Sequence, residues 1–187
     1  MPERKPLEQR FSALKGEATT WIPAWREIRN YVNPTRGRFA GDLPNRGKLI
    51  DHKLILDSHP QRAIEKLADG LAAYLTSPSR PWWRPTIDDL DLMEWGPAKE
   101  WLSKVERGMY SVQAGSNFHT AMHADYKEYA SFATSAPGLF EDRRDVMRAR
   151  NYTIGEDFVG IGFDGRPNAF GYEYEKTAGQ LVERYGK

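Results

Sequence analysis

The sequence contains no cysteine and no long apolar run. Without thiols, disulfide bonds, thiolate-bound metals and cysteine nucleophiles are all excluded. No stretch approaches the roughly 18 consecutive apolar residues of a membrane-spanning helix, and the first eleven residues lack the apolar segment of a secretory signal. These absences predict a soluble domain that has no membrane partner and whose core is held together without covalent cross-links.

Net charge is also nearly absent, at +1 for 187 residues, but its distribution along the chain is uneven. Residues 1–86 carry 15 lysines and arginines against 9 aspartates and glutamates, whereas residues 87–187 carry 12 against 17. Halves of opposite sign can attract each other within one fold, or can attract a neighbouring copy head to tail. On charge alone we favour attraction within one fold.

Aromatic residues are abundant, with 6 Trp, 9 Tyr and 8 Phe, which a wholly disordered chain would not carry. A chain of this length can bury about 70% of its unfolded surface, so a substantial hydrophobic core is possible. We therefore expect a single folded region over residues 1–187.

Apolar residues at spacings of three and four predict helices in the first three quarters of the chain. From Leu7 to Val32 this spacing predicts one bent helix or two helices in series, because Pro23 removes a backbone donor and places a break near residues 20–22. The helix ends before Asn33-Pro34. The later helices are predicted to begin at Ser58, near Gly96, at Ser116 or Asn117, and at Thr177.

After Gly138 the apolar period changes to that of β-strands. Three strands are predicted, over residues 146–153, 157–163 and 169–175, with Asp164-Gly165 as a two-residue hairpin turn between the last two. The predicted fold class is therefore α+β: four to five helices packed with a C-terminal, three-stranded antiparallel β-meander.

Residues 33–50 form a basic loop that we expect to be flexible, with two Pro, three Gly and a single Asp. Its basic residues can contact nucleic-acid phosphates, although a solvated linker is the simpler interpretation. Trp82 and Trp83 can stack on bases, or can fill a core or an interface. A nucleic-acid-binding module built from these two features is the alternative hypothesis for function. The four basic residues of the loop are Arg36, Arg38, Arg46 and Lys48.

No pattern in the sequence predicts a catalytic, cofactor or metal site. Residues 160–165 match G-x-G-x-x-G, but they lie in a predicted strand and hairpin, whereas the dinucleotide fingerprint needs a helix to follow. His119 and His123 are four residues apart, yet the glutamate of H-E-x-x-H and a third zinc ligand are missing. We therefore predict a protein without enzymatic activity, cofactor or bound metal.

A series of short phrases occurs in order along nearly the whole chain. The phrases are Trp25-Arg26-Glu27-Ile28, Thr76-Ser77-Pro78, Pro81-Trp82-Trp83, Ser116-Asn117-Phe118, Thr153-Ile154-Gly155-Glu156-Asp157, Asp164-Gly165 and Thr177-Ala178-Gly179-Gln180-Leu181-Val182. Taken together, they resemble the head-to-tail connecting (portal) proteins of short-tailed bacteriophages. That family usually has a Gly-Thr pair after the aromatic residue that ends the fourth helix, where this sequence has Ala133-Thr134.

The resemblance implies a structural protein of the virion, assembled in the bacterial cytoplasm. It implies a dodecameric ring at one capsid vertex, through which double-stranded phage DNA is packaged and ejected. The implied partners are other copies of the subunit, the capsid, the terminase motor and the tail. The chain would be the N-terminal, wing-like part of a longer subunit. The residues that carry the family-like pattern are Trp25, Pro81, Trp82, Trp83, Asn117, Phe118, Gly155, Asp164 and Gly165.

Overall fold

A computed structural model describes residues 4–39, 54–173 and 176–186. Within these ranges the chain forms helices and antiparallel strands, which confirms a mixed α and β architecture. None of the described helices is long and apolar enough to cross a membrane. The helices are α1 (Arg4–Ala18), α2 (Ile22–Tyr31), α3 (His59–Leu75), α4 (Leu90–Glu94), α5 (Gly96–Gly115), α6 (Phe118–Phe132) and α7 (Ala178–Tyr185); the strands are β1 (Pro137–Asp142), β2 (Val146–Asn151), β3 (Asp157–Ile161) and β4 (Pro167–Tyr172).

The contacts within the chain group it into two compact units. The first, which we call the continuous unit, is the uninterrupted stretch Ile55–Tyr152. The second combines Met1–Leu54 with Thr153–Lys187, and we call it the split unit. The continuous unit is therefore inserted, along the sequence, between the two halves of the split unit.

The helical break predicted near residues 20–22 is confirmed in the split unit. Helix α1 ends at Ala18 and α2 begins at Ile22. Pro23 lies in the first turn of α2. Backbone N–H groups there have no intrahelical acceptor, so the missing N–H of proline costs the helix no hydrogen bond. Helix α1 packs against β3, and the ring of Phe11 meets that of Phe158 edge to face with centroids 5.7 Å apart.

The continuous unit is organised around α6, which packs against α3 and β2. Phe118, Ala121 and Ala149 are buried at the centre of its core, and Met122 and Met147 pack against them. On α3, Ala68 is fully buried, and its small side chain allows close packing of this helix against its neighbours.

The predicted three-stranded meander is not what the described residues form. They form two separate two-stranded antiparallel sheets, β1–β2 and β3–β4. The first predicted strand, now β2, pairs with the unpredicted strand β1, in a register that runs from Pro137↔Asn151 to Asp142↔Val146. Between β2 and β3 the backbone of Gly155 takes a left-handed conformation (φ +91°), which glycine adopts without the steric cost of a Cβ.

The hairpin between β3 and β4 is confirmed, but its turn is longer than predicted. The N–H of Gly162 donates to the carbonyl of Arg166 at 2.8 Å, so that three residues, 163–165, form the loop. Gly165 has φ +74°, and Asp164 Oδ1 accepts from the N–H of Arg166 at 3.2 Å. A third residue in the left-handed conformation is typical of three-residue hairpin loops.

The predicted helix starts are confirmed in position, although the capping atoms differ. Ser58 is the N-cap residue of α3, but the side chain that accepts from the N–H of His59 is Asp57. Thr177 caps α7 through a reciprocal capping box with Gln180. The short helix α4, capped by the carboxylate of Asp89, was not predicted.

Candidate functional site

Asn117 joins the start of α6 to the open side of strand β2. Its Nδ2 donates to the carbonyl of Ala149 and its Oδ1 accepts from the N–H of the same residue, both at 2.8 Å. The side-chain amide thus pairs with Ala149 as a neighbouring strand would, and we call this pair the edge clamp. The helix cap that we expected from Ser116 or Asn117 is supplied by Ser116, whose Oγ accepts from the N–H of Phe118 at 3.2 Å.

The hydroxyl of Tyr110 on α5 holds the extended Pro81-Trp82-Trp83 segment. It accepts from the N–H groups of Trp82 (2.8 Å) and Trp83 (2.9 Å), and donates to the carbonyl of Trp83 (2.8 Å). The Trp83 ring stacks on Tyr110 with centroids 5.1 Å apart. This segment has no regular secondary structure, and three of its backbone groups are satisfied by this one side chain.

Trp82 stacks on Phe118 with ring planes 6° apart and centroids 6.3 Å apart. One face of each tryptophan ring is therefore occupied by an aromatic side chain of the same unit. Phe118 itself is only 5% exposed. These contacts leave less ring surface for stacking on bases, although Trp82 is still 37% exposed.

In the split unit, residues 37–39 pack against residues 153–156, and we call this contact the junction. The N–H of Gly37 donates to Thr153 Oγ1 at 2.7 Å, and the N–H of Arg38 donates to the carbonyl of Ile154 at 2.8 Å. A Cβ placed on Gly155 would lie 1.8 Å from the carbonyl oxygen of Arg38, so only glycine fits there. The family-like phrase around Gly155 therefore forms one side of the junction.

The aromatic ring of Phe39 is the buried part of the junction, at 4% exposure. The guanidinium groups of Arg26 and Arg29 on α2 lie 5.6 and 5.3 Å from its ring centroid. Cations at this distance from an aromatic face are attracted by its quadrupole. Trp25, on the same helix, is half-buried.

The structure describes two of the four basic residues predicted for DNA or subunit contact. Arg38 forms an ion pair with Glu156, with 3.1 Å between Nη1 and Oε1, so its charge is largely compensated within the junction. Arg36 is half-buried, and its N–H donates to the carbonyl of Asn33 at 3.2 Å. Arg46 and Lys48 lie outside the described residues.

A buried polar cluster in the continuous unit was missed in the sequence. Asp125 is 5% exposed; its Oδ1 accepts from Asn151 Nδ2 at 2.8 Å and its Oδ2 accepts from Ser135 Oγ at 3.1 Å. Nearby on α6, the Tyr126 hydroxyl donates to Thr76 Oγ1 at 3.1 Å, and Glu128 is 1% exposed. In the sequence, the available signal was that Asp125 and Glu128 lie three residues apart on one helix. This spacing did not predict burial, because acids are almost never fully buried unless they are paired.

The two histidines do not form a metal site with neighbouring side chains. His123 Nε2 lies 2.8 Å from Asp69 Oδ1 on α3, and the His119 ring lies edge-on to Phe118 at 5.3 Å. Within residues 4–39, 54–173 and 176–186, no group of three or more metal-ligating side chains is close enough to hold an ion.

The turn between β1 and β2 is stabilised by Asp142. Its Oδ1 accepts from the N–H groups of Arg144 (2.8 Å) and Asp145 (3.1 Å). These backbone hydrogen bonds, first that of Arg144 and then that of Asp145, lower the pKa of the Asp142 carboxyl below its ordinary value, and Arg148 adds to the effect.

The sequence model of a family described as "Bacteriophage head to tail connecting protein" matches residues 4–187. The chain belongs to this family. The resemblance that was drawn from the short sequence phrases is thereby confirmed. In this connector-family chain, the phrase around Asn117 forms the edge clamp and the phrase around Gly155 forms one side of the junction. The phrase around Trp82 supplies the stacked pair of Trp82 and Phe118, which we call the aromatic stack.

Two relatives of this connector-family chain carry portal names. A "Probable portal protein" from Bordetella phage BPP-1 is 37% identical over 185 residues, which are 99% of this chain and 33% of the relative. A "Portal protein" from Salmonella phage epsilon15 is 29% identical over 184 residues, which are 98% of this chain and 33% of the relative. The chain therefore spans about a third of the length of the curated relatives it matches.

Proposed function

We propose that the chain is part of a portal subunit, the structural virion protein that connects the phage head to the tail. Copies of the complete subunit would form a dodecameric ring at one capsid vertex, through which the DNA enters and leaves. The observation that carries this proposal is the family match over residues 4–187, supported by two portal-named relatives that align with nearly all of the chain.

The role proposed for this chain is positional, and no bond is made or broken in it. The edge clamp, the aromatic stack and the junction each fix backbone groups with short hydrogen bonds or ring contacts. Such contacts hold surfaces in a defined place, as a ring component that docks to capsid, tail and terminase requires. The energy for DNA movement would come from the separate terminase motor, and the chain itself would be non-enzymatic.

We keep residues 33–50 as the proposed contact with DNA or with a neighbouring subunit. The ion pair between Arg38 and Glu156 uses Arg38 within the fold, which leaves Arg46 and Lys48 as the basic residues on which the proposal depends most. Phosphate contacts by such residues release counterions, so each contact contributes to the salt dependence of binding.

Particle composition tests the portal role directly. Purified phage particles should contain the polypeptide that includes this chain, and deletion of its gene should yield heads that lack packaged DNA. DNA-filled particles of normal yield from the deletion strain would contradict the proposal. Light scattering on the complete gene product tests the ring, because a monomer at every concentration is incompatible with it.

A charge-reversal pair tests the basic segment. The variant with Arg46→Glu and Lys48→Glu should bind double-stranded DNA less tightly and show a shallower dependence on salt. The matched control carries Lys66→Glu and Lys104→Glu, at two exposed lysines of the continuous unit. It changes the net charge by the same amount as the test variant. Equal loss in both variants would show that only total charge matters, and would contradict a specific contact.

A further inference from the structure

Helix α3 packs against α6 on one side and has a second apolar side that points away from α6. On the packed side, Glu65 pairs with Lys127 at 2.7 Å, and Asp69 Oδ1 lies 2.8 Å from His123 Nε2. At 3.6 residues per turn, the opposite side of α3 is formed by small and large apolar residues in alternation. They are Ala63, Leu67, Gly70 and Tyr74, of which all but the glycine are exposed.

This outer side of α3 contains a socket. Four residues at positions i, i+3, i+4 and i+7 of a helix are the corners of a hole that takes one side chain of a second helix. A Cβ placed on Gly70 would meet no atom within 4 Å, so the floor of the hole is open. Its walls protrude, since Leu67 is 50% and Tyr74 is 77% exposed. The four corners are Leu67, Gly70, Leu71 and Tyr74.

One flank of α5 has a matching shape. Trp101 protrudes from this flank at 60% exposure. Within the next two turns, Lys104, Val105 and Gly108 complete a second set of i, i+3, i+4 and i+7 positions. A Cβ placed on Gly108 would again meet no atom within 4 Å. Helix α5 therefore carries a large side chain and a socket of its own, and it belongs to the same unit as α3.

We propose that α5 of one copy of the chain packs antiparallel against the outer side of α3 of the neighbouring copy in the ring. The inference rests on the proposed function, because the ring supplies the neighbour. Trp101 enters the socket over Gly70 of the partner subunit. In the same register, Leu67 of the partner subunit enters the socket of α5, and Ala63 of the partner subunit lies beside Gly108.

The reciprocity of this register favours a second copy as the occupant of both surfaces. In an antiparallel pair, the turn after Trp101 lies beside the turn before Gly70. That is where α5 has its socket and where α3 has Leu67, so one placement of the two helices fills both sockets. Within one copy, α5 packs against α6 and leaves the outer side of α3 exposed.

The proposed contact joins two different surfaces of the chain. A contact of this kind, repeated from copy to copy, generates a closed ring when its rotation closes, whereas a twofold contact ends at a pair. Each copy can offer its α5 flank to one neighbour and its α3 side to the other, because the two surfaces are on separate helices. The contact therefore agrees with the cyclic assembly proposed above.

Two cysteine variants, mixed, test the register and the symmetry together, because the native chain contains no cysteine. One preparation carries Ala63→Cys and the other carries Gly108→Cys, at exposed positions that face each other in the proposed register. Mild oxidation of the mixture should give covalent dimers at least about tenfold faster than either preparation alone. The control mixture pairs Gly108→Cys with Ala73→Cys, at an exposed residue on another side of α3, and should react at the slow rate.

Equal rates in all preparations would indicate random collision and would overturn the proposal. Faster reaction of one variant with itself would indicate a twofold contact and would also overturn it. A ring of the complete subunit in which the Ala63→Cys and Gly108→Cys pair forms no cross-link would overturn this inference alone and leave the portal role standing. Selective cross-linking of a gene product that is absent from phage particles would support the contact and refute the portal role.

Gly70→Leu provides the second measurement, because it fills the socket without a cost to the helix. Leucine forms helices better than glycine, so the melting temperature of the chain should not fall. Assembly of the complete subunit, followed by light scattering, should need at least about tenfold more protein, as it should in Trp101→Ala. Gly16→Leu, at a glycine of α1 that also has open space around its Cβ, should assemble like the native protein. Normal assembly of Gly70→Leu would refute the contact.

Discussion

The continuous and the split unit differ most in how far apart along the sequence their contacting residues are. In the continuous unit, the ion pair between Lys127 and Glu65 joins residues 62 positions apart. In the split unit, Arg38 and Glu156 are 118 positions apart, and Lys15 and Glu173 are 158 apart. The split unit exists only if two distant stretches of chain are brought together.

This difference has an energetic consequence. If residues 55–152 are unfolded, closing the split unit requires a loop of that whole length, at a conformational cost of about 4 kcal/mol. A folded continuous unit fixes the distance between its own ends and removes most of that cost. We therefore expect damage to the continuous unit to unfold both units, whereas damage to the split unit leaves the continuous unit folded.

The largest effect is expected for Phe118→Ala. Removing this buried ring from the core should cost the continuous unit about 3–5 kcal/mol. Hydrogen exchange should show that amides of the split unit lose protection at the same time, because their loop is no longer closed. Phe163→Ala, at a fully exposed ring, should change stability by less than about 0.5 kcal/mol. If the split unit stayed protected in Phe118→Ala, its folding would not depend on the continuous unit, which contradicts our expectation.

Gly155→Ala tests the opposite case, in which the split unit is damaged and the continuous unit should stay folded. A methyl group there collides with the carbonyl of Arg38 in addition to straining the left-handed backbone, so we expect a loss of about 3 kcal/mol. The matched control Gly165→Ala has a positive φ but open space around the Cβ, and should cost about 1–2 kcal/mol. Exchange protection should fall in the split unit only. Equal losses in the two variants would contradict the tight fit at the junction.

Asn117→Ala removes the edge clamp and should destabilise the continuous unit by about 1–2 kcal/mol in chemical denaturation. Asn117→Asp sharpens this test, because at neutral pH its carboxylate faces the carbonyl of Ala149 and cannot donate. When that carboxyl is protonated it again offers one donor and one acceptor. The stability of Asn117→Asp relative to Asn117→Ala should therefore rise as the pH falls, and a pH-independent difference would rule out the clamp.

A smaller, stabilising effect is expected for Ala133→Gly. Ala133 follows α6 with φ +58°, a left-handed position at which a Cβ is unfavourable. Glycine there should stabilise the continuous unit by about 1 kcal/mol, seen as a rise in its melting temperature. The same substitution at the exposed helical residue Ala73 should destabilise by about 1 kcal/mol. Destabilisation at both sites would show that the strain at Ala133 is already relieved.

The smallest effect is expected from Asp142, a half-buried residue at the end of β1. The fold lowers the pKa of this carboxyl from 3.8, because backbone N–H groups favour its charged form. The contribution of this carboxylate to stability is therefore fully present above pH 3.8 and is lost as the pH falls through the lowered pKa. The protection of amides in the β1–β2 turn, taken relative to their intrinsic exchange rates at each pH, should fall over that acidic range in the native chain but not in Asp142→Asn. An identical profile in both would refute the role of the carboxylate.

Sequence reasoning worked where the decisive interactions are local. The break at Pro23, the cap at Thr177 and the hairpin at Asp164-Gly165 depend on residues within a few positions of each other, and the structure confirms all three. The family resemblance was also carried by short phrases, and it is confirmed over residues 4–187.

The parts that sequence reasoning missed depend on distant partners. Strand β1 begins with a proline and alternates poorly, and only its pairing with β2 defines it. The amide of Asn117 could be recognised as a possible cap, but its contact with Ala149, 32 residues away, leaves no periodic signal. The buried Asp125 likewise depends on Asn151 and Ser135 for its hydrogen bonds.

The two adjacent tryptophans also give the molecule an optical signature. The rings of Trp82 and Trp83 lie 6.4 Å apart with their planes at 71°, each held in a fixed asymmetric surrounding. Aromatic rings fixed in this way contribute to the near-ultraviolet circular dichroism of a folded protein, and that contribution is lost when the tertiary packing is lost. The continuous unit thus carries its own chromophore, and its unfolding can be followed by light absorption without attaching any label.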